Sequence, residues 1–128
     1  MATIGARVLR LEDRSLLTGQ GRFVDDIPLP GVLHVAFARS REAHALIRKV
    51  DKAAACAIPG VRAVLTLADL DPVLVTRRLP RTSAKPGSVP DTPFILAGEE
   101  VAFVGEAVAL VVADSRYLAE YCAVLVDL

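Results

Sequence analysis

The stretch VLHVAFARS, residues 32–40, carries the most regular apolar alternation in the chain. Large apolar side chains alternate with smaller ones. The first set is Leu33, Val35 and Phe37, and the second is His34, Ala36 and Ala38. Because successive side chains of a strand point to opposite faces, this pattern predicts a strand that is covered on both sides. It places Phe37 in the core and lets a helix approach the small face.

Working outward, the segment 45–67 predicts a strand, a helix and a second strand. Residues 45–50 form the first strand and residues 61–67 the second. Asp51 can accept hydrogen bonds from the first amides of a helix over residues 52–58, which Pro59 and Gly60 end. The helix is short for a parallel crossover, although a compact one is possible.

The C-terminal third predicts two more strands and a helix. Residues 100–104 and Ala107–Ala113 are the strands, and Gly105 with Glu106 between them indicates a bulge or a tight corner. Asp114 or Ser115 caps a helix that runs to about Val124. Between the two halves, residues 77–91 hold three prolines and no apolar period, which predicts a mobile surface loop.

Length and composition indicate one domain. The chain has 128 residues, a hydrophobic fraction of 53% and a formal net charge of zero, so charge gives it no reason to bind nucleic acid or anionic lipid. We predict an extended arm over residues 1–20, without a stable helix, and a folded domain over residues 21–128. The apolar content exceeds what so small a core needs, which indicates a surface covered by something else.

No segment predicts a membrane anchor or a leader. A membrane span needs about 20 apolar residues. The longest apolar run, Ala107–Ala113, is much shorter. The first residues have no continuous apolar region, so we predict no signal peptide and a cytoplasmic protein. Cys56 and Cys122 lie far apart in alanine-rich helical patterns, which favours buried free thiols over a disulfide.

Two patterns resemble binding motifs without meeting their requirements. Gly19 and Gly21 lack the third glycine, the preceding strand and the following helix of a dinucleotide fingerprint, so they indicate a turn. Asp25 and Asp26, with Glu12 and Asp13 upstream, lack the spacing of a calcium loop. For Asp25 and Asp26 we therefore expect turn hydrogen bonds and solvated charge.

The two histidines also lack partners for catalysis or zinc binding. His34 and His44 have no cysteine or histidine at ligand spacing. We expect His34 to be a hydrogen-bonded histidine of the core or of an interface. Ser40 and His44 could pair as nucleophile and base only with an orienting acid and an oxyanion hole, and nothing marks either.

The order of these segments nevertheless resembles a known family. RLEDRSLLTGQGRFVDDIPLPGVLHVAFARSREAHALIRKVD (residues 10–51), AIPGVRAVLTLADL (57–70) and EEVAFVGEAVALVVADSRYLAE (99–120) match its pattern in order across nearly the whole chain. Together they strongly resemble the start of the molybdenum-binding large subunit of the molybdenum hydroxylases. That family includes xanthine dehydrogenases, aldehyde oxidases and aerobic carbon monoxide dehydrogenases, and the opening looks closest to the last branch.

The resemblance implies an α/β (α+β) hammerhead domain, a mixed β-sheet with two helices. It implies a non-catalytic structural or docking domain with no catalytic, cofactor-binding or metal residue in this chain, and a structural role for Glu106. The molybdopterin cofactor is expected only in downstream domains or a partner subunit. Expected partners are a molybdopterin-binding domain or subunit, and possibly flavin and iron–sulfur subunits or a second copy. The alternative is a stand-alone binding or regulatory module that reuses the scaffold.

Overall fold

The structure is a computed structural model that describes residues 4–5, 10–79 and 92–128. The chain forms two units, Met1–Gly31 and Val32–Leu128. The predicted boundary between residues 20 and 21 stays a prediction.

The first unit contains a short helix where we predicted an extended arm. Helix α1 covers Asp13–Leu17, and a 3₁₀ turn covers Val24–Asp26. The helix forms because Asp13 in its first turn suits the helix dipole, and because the Thr18 hydroxyl donates to the carbonyl of Arg14 at 2.8 Å. The prediction of an arm without a helix was therefore wrong at these residues.

The glycines of this unit form a turn, as predicted. Gly19 has a φ of 70°, and the Gln20 amide donates to the carbonyl of Ser15 at 2.8 Å, which closes the end of α1. Asp26 makes the predicted turn hydrogen bond, since its carboxylate accepts from the Phe23 amide at 2.9 Å. These hydrogen bonds and the positive φ of Gly19 shape the backbone of the turn.

The second unit holds five strands and three helices among its described residues. The strands are β1 (His34–Arg39), β2 (Ala45–Leu46), β3 (Val61–Thr66), β4 (Glu100–Val101) and β5 (Ala107–Ala113). The helices are α2 (Ala53–Cys56), α3 (Leu67–Leu70), which a 3₁₀ turn (Asp71–Val73) follows, and α4 (Arg116–Val124). Every predicted strand and helix of this unit is present, several of them shorter than expected.

Strand β5 lies at the centre of the main sheet. The order is β1-β5-β3, and both neighbours run antiparallel to β5. Strands β2 and β4 form a separate antiparallel pair. The predicted strand–helix–strand unit therefore exists along the chain, but it is not a parallel crossover, because its two strands belong to different sheets. The helix between them has only four residues, which is too short to span a sheet.

The main core lies on one side of this sheet, which we call the inner sheet face. Ala38, Ala109 and Val111 are fully or almost fully buried there, together with Cys122 of α4. Helix α4 packs against β1 and β5. It begins as predicted at Ser115, whose hydroxyl accepts from the Leu118 amide at 3.2 Å. A smaller cluster of Ala97, Val101 and Val108 packs beside β2.

A carboxylate network joins α2 to α3. The Asp69 carboxylate accepts from the Lys52 ammonium at 2.6 Å and from both the amide and the hydroxyl of Thr66 at 2.8 Å. The hydrogen bond from Lys52, followed by those from Thr66, lowers the pKa of Asp69 to about 2.

We expect Asp69 to contribute to the acid sensitivity of the fold. A carboxyl whose pKa is lowered by folding stabilises the protein above its unfolded-state pKa, and this contribution is lost as the pH falls from about 4 to about 2. Urea unfolding followed by circular dichroism across that range should show a shallower acid dependence for Asp69→Asn than for the parent. Equal slopes for the two proteins would contradict this role.

The two cysteines differ in exposure, which corrects part of our prediction. Cys122 is buried, as expected, whereas Cys56 is exposed because it lies on the outer side of the short helix α2. Burial raises the pKa of the Cys122 thiol.

A thiol reagent such as Ellman's should therefore modify Cys56 alone in the native protein. We expect Cys122 to react only after unfolding in urea, and Cys56→Ser should show no fast-reacting thiol. Rapid modification of both thiols without denaturant would contradict the burial of Cys122.

The predicted mobile loop over residues 77–91 lies mostly outside the described residues. At its described start, Leu79 donates its amide to the carbonyl of Pro93 at 3.1 Å, and Ile95 donates to Arg77 at 2.9 Å. Residues 77–79 are therefore paired with residues 93–95.

Candidate docking surface

The side of the main sheet opposite α4 carries a patch of apolar side chains, which we call the outer sheet face. It consists of Val35 and Phe37 of β1, Leu110 and Val112 of β5, and Ala63 and Leu65 of β3. The strand register aligns these six residues in two rows. One row is Val35, Val112 and Ala63, and the other is Phe37, Leu110 and Leu65. Adjacent residues of a row are direct cross-strand neighbours, so the patch is contiguous.

This face is only partly covered. Val35 is 51% exposed and Phe37 is 42% exposed, and the four residues of β5 and β3 are half-buried. A contiguous apolar patch across three strands is a common mark of an interaction site. No charged side chain interrupts its two rows.

The exposure of Phe37 contradicts our prediction that it belongs to the core. We predicted that the large face of β1 would be buried, but the small face is the buried one. Ala38 and Ala109 leave room for α4 to approach the sheet closely, and Ala119 of the helix is itself fully buried. The helix therefore selects the small face, and the large side chains are left on the other.

Arg39 of β1 borders the outer sheet face next to Phe37. Its guanidinium lies 5.4 Å from the centre of the Phe37 ring and donates to the carbonyl of Gly105 at 2.8 Å. The Arg39 guanidinium therefore binds its own chain. It lies beside the two apolar rows and does not separate their side chains.

The histidines and Ser40 do not form a catalytic group. The Ser40 hydroxyl accepts from the Glu42 amide at 3.0 Å, whereas His44 Nε2 lies 2.9 Å from a carboxylate oxygen of Glu100. His34 is half-buried on the inner sheet face opposite Ala113. Within the part of the chain that the structure describes, its ring makes no hydrogen bond. The hydrogen bond that we expected for His34 is therefore not observed.

Glu106 makes hydrogen bonds that hold the backbone around it. Its buried carboxylate accepts from the Ala102 amide at 2.6 Å, and its carbonyl accepts from the Ser40 amide at 2.9 Å. Gly105, with a φ of 89°, donates to the Ser40 carbonyl at 2.9 Å. These bonds hold the corner between β4 and β5 against the end of β1.

Two features bear on whether a cofactor could bind, namely the metal-ligating side chains and a groove beside α3. No group of three histidine, cysteine or acidic side chains among the described residues could hold a metal ion. A groove of about 460 Å³ beside α3 has a basic rim. Three of its four basic residues, Lys49, Lys52 and Arg77, are each paired with an aspartate, and the fourth is Arg48.

None of the helices in the described ranges is long and apolar enough to cross a membrane.

Comparison with known proteins identifies similar domains. Residues 18–128 match the family described as "Aldehyde oxidase and xanthine dehydrogenase, a/b hammerhead domain". The carbon monoxide dehydrogenase large chain of Hydrogenophaga pseudoflava is 40% identical over 119 residues, which cover 93% of this chain and 14% of that protein. The nicotine 6-hydroxylase large subunit of Paenarthrobacter nicotinovorans is 44% identical over 125 residues, or 98% of this chain and 15% of that protein.

A solved structure shares the fold. The crystal structure of the Cu,Mo-CO dehydrogenase in its carbon monoxide reduced state superposes with a TM-score of 0.82 at 41% identity, over 96% of this chain and 15% of that one. The chain therefore spans about one seventh of the length of these proteins.

Proposed function

Because this chain belongs to the a/b hammerhead domain family of aldehyde oxidases and xanthine dehydrogenases, we propose that it is a non-catalytic docking domain. In this proposal it serves a large subunit of the molybdenum hydroxylases, the group of oxidoreductases that its relatives represent. The outer sheet face is its docking surface, and the partner is a molybdopterin-binding polypeptide.

The half-exposed apolar rows of the outer sheet face carry this proposal. Leaving six apolar residues of a sheet in water costs free energy that a packed partner would recover, at about 25 cal/mol per Å² of apolar area. Two relatives are a large chain and a large subunit of their enzymes, which supports a setting with further subunits. Flavin and iron–sulfur subunits are possible further members of such a complex.

The molybdopterin cofactor belongs to the partner in this proposal. When bound there it supplies the oxidation–reduction chemistry, and the present chain contributes surface and position. The carboxylates of Glu106 and Asp69 hold a turn and the start of a helix in this chain. The expectation that this chain holds no cofactor itself stays a prediction.

The proposal can be tested by titrating the chain against a large-subunit polypeptide that carries the molybdopterin-binding regions but lacks its own hammerhead segment. We expect Phe37→Asp to weaken binding by about 30-fold or more, the effect of losing one residue at the centre of an interface. Because Phe37 is 42% exposed, the same change should alter the urea midpoint far less than a core substitution would.

Tyr121→Asp is the matched control. Tyr121 is 59% exposed on α4, on the other side of the sheet, so this change also places an acid on an exposed aromatic position. We expect its binding to equal that of the parent. Equal losses for both variants, or no binding by the parent chain, would overturn the outer sheet face as the docking surface.

A further inference from the structure

Among the described strands, β1 forms an edge of the main sheet, because β5 pairs with it on one side and no described strand pairs with it on the other. Backbone hydrogen bonds show which residues of β1 point their amides and carbonyls toward the free edge. The Ser40 amide donates to Glu106 at 2.9 Å, and the Ser40 carbonyl accepts from Gly105 at 2.9 Å, so Ser40 faces β5. Backbone groups alternate along a strand, so the even-numbered residues of β1 face β5 and the odd-numbered ones face outward.

Hydrogen bonds of the central strand, β5, support the same assignment of which residues of β1 face outward. The Asp114 amide donates to Gly60, at the start of β3, at 3.0 Å. The even-numbered residues of β5 therefore face β3, which leaves its odd-numbered residues for β1. In the observed register, Ala36 lies opposite Val111 and Ala38 lies opposite Ala109, an even residue against an odd one in each case. The amides and carbonyls of Val35 and Phe37 are thus the groups at the free edge.

This edge lacks the usual protection against pairing. Natural edge strands are commonly guarded by lysine, proline, bulges or inward-pointing charges. Residues 34–38 of β1 contain no acid, lysine, arginine or proline. The guanidinium of Arg39 is bound to Gly105 and the Phe37 ring, away from the edge. The irregularity in the β1–β5 register falls between Ala38 and Arg39, beyond the central residues.

Two antiparallel copies of β1 place compatible residues opposite each other. When two copies pair about a twofold axis at Ala36, Val35 of one copy meets Phe37 of the other, and both residues use their outward backbone groups. Each such pair exchanges two hydrogen bonds, so the two symmetry-related pairs contribute about four. On the outer sheet face this register also forms cross-strand pairs of an aromatic with a β-branched residue, which are favourable.

Charge does not oppose this arrangement. The chain has a formal net charge of zero, so two copies carry no long-range repulsion. In the same register His34 faces Ala38, and Arg39 lies opposite Leu33, so neither basic residue meets its own copy. A shift by two residues would instead place Arg39 opposite Val35 and bring charge into the apolar rows.

We propose that the chain forms a symmetric dimer in which the β1 edges of two copies pair antiparallel about Ala36 and join the two main sheets into one. This inference goes beyond the proposed function, because it concerns the chain alone and the edge of the sheet rather than its face. Self-pairing would double the outer sheet face into one continuous apolar surface.

Sedimentation velocity of the purified chain over a range of concentrations tests the dimer. We expect a dimer that Val35→Pro disrupts, with the dissociation constant raised at least about tenfold, since proline removes one outward amide from each copy. Proline is tolerated where the amide faces away from the ladder, so the urea midpoint of Val35→Pro should stay close to that of the parent. Ala36→Pro is the matched control, because its amide faces β5 and the change should destabilise the fold itself.

The register is tested by disulfide formation in a Cys56→Ser background. Residue 36 meets its own copy on the twofold axis, so Ala36→Cys should form a covalent dimer on mild oxidation, whereas Ala38→Cys should not. A chain that stays monomeric at every concentration would overturn the proposal. So would a dimer that survives Val35→Pro and is not cross-linked by Ala36→Cys. The dimer experiments contain no partner polypeptide. A negative result in them can therefore be told apart from a negative result in the docking titration.

Discussion

Replacing Val111 by aspartate should unfold the domain. Val111 is fully buried at the middle of β5, where Ala36 and Val64 flank it and α4 covers it. An unpaired carboxylate there has no cation or amide within the core to stabilise it, and the expected cost is at least about 3–5 kcal/mol. Small domains have a total stability of about 5–15 kcal/mol, so most or all of the folded population would be lost.

The neighbouring residue provides the control for this experiment. Val112 belongs to the same strand but lies on the outer sheet face and is half-buried. Val112→Asp should therefore keep far more of the native circular dichroism signal than Val111→Asp and show a higher urea midpoint. If the two variants unfold at the same midpoint, the assignment of inner and outer faces is wrong.

Leu96→Ala should have the second largest effect. Leu96 is fully buried and lies between two backbone hydrogen bonds, from Ile95 to Arg77 and from Ala97 to Ala107. Because these bonds fix the backbone on both sides, the surroundings have little freedom to close the cavity that the substitution opens. The expected cost is about 2–5 kcal/mol, measured as a fall in the urea midpoint without a change in slope.

Leu46→Ala removes the same atoms from a different environment. Leu46 is 74% exposed on β2, so its truncation should alter stability by less than about 0.5 kcal/mol. Leu96→Met, which keeps the side-chain volume, should cost less than about 1.5 kcal/mol. An equal loss of stability for Leu96→Ala and Leu46→Ala would contradict the burial of Leu96.

Local patterns predicted the elements of this fold because each has a local cause. The start of α4 follows from Ser115, whose hydroxyl binds an amide three residues later. The apolar run Ala107–Ala113 predicted a strand, and it is the central strand of the main sheet. Comparison with related structures confirms the α/β hammerhead fold, which the ordered motifs, rather than any single one, had indicated.

Pairing and burial could not be predicted from the same patterns, because they depend on distant residues. The alternation in β1 shows that its two faces differ but not which of them α4 covers. Helix α4 begins at Arg116, far along the chain, and its close approach is permitted by Ala119 and Cys122. The exposure of Phe37 is therefore a tertiary outcome, and so is the separation of β2 from β3 into different sheets.

The candidate docking surface was only partly predictable. An excess of apolar residues indicated a surface to be covered, but its position required the register that aligns Val35 with Val112 and Phe37 with Leu110. Composition shows how much apolar surface a chain has, whereas strand pairing decides where that surface is.

The central position of β5 also governs when the fold can form on the ribosome. Within the described ranges, β1 and β3 each pair with β5 in the main sheet, and β5 is not complete until Ala113 has been synthesised. Until then, β1 and β3 expose alternating apolar side chains and unpaired backbone groups in the nascent chain, a state prone to association. Folding of the main sheet must wait for the last part of this segment to leave the exit tunnel, and the many distant contacts make it slow. We therefore expect the nascent chain to be most prone to association in that interval.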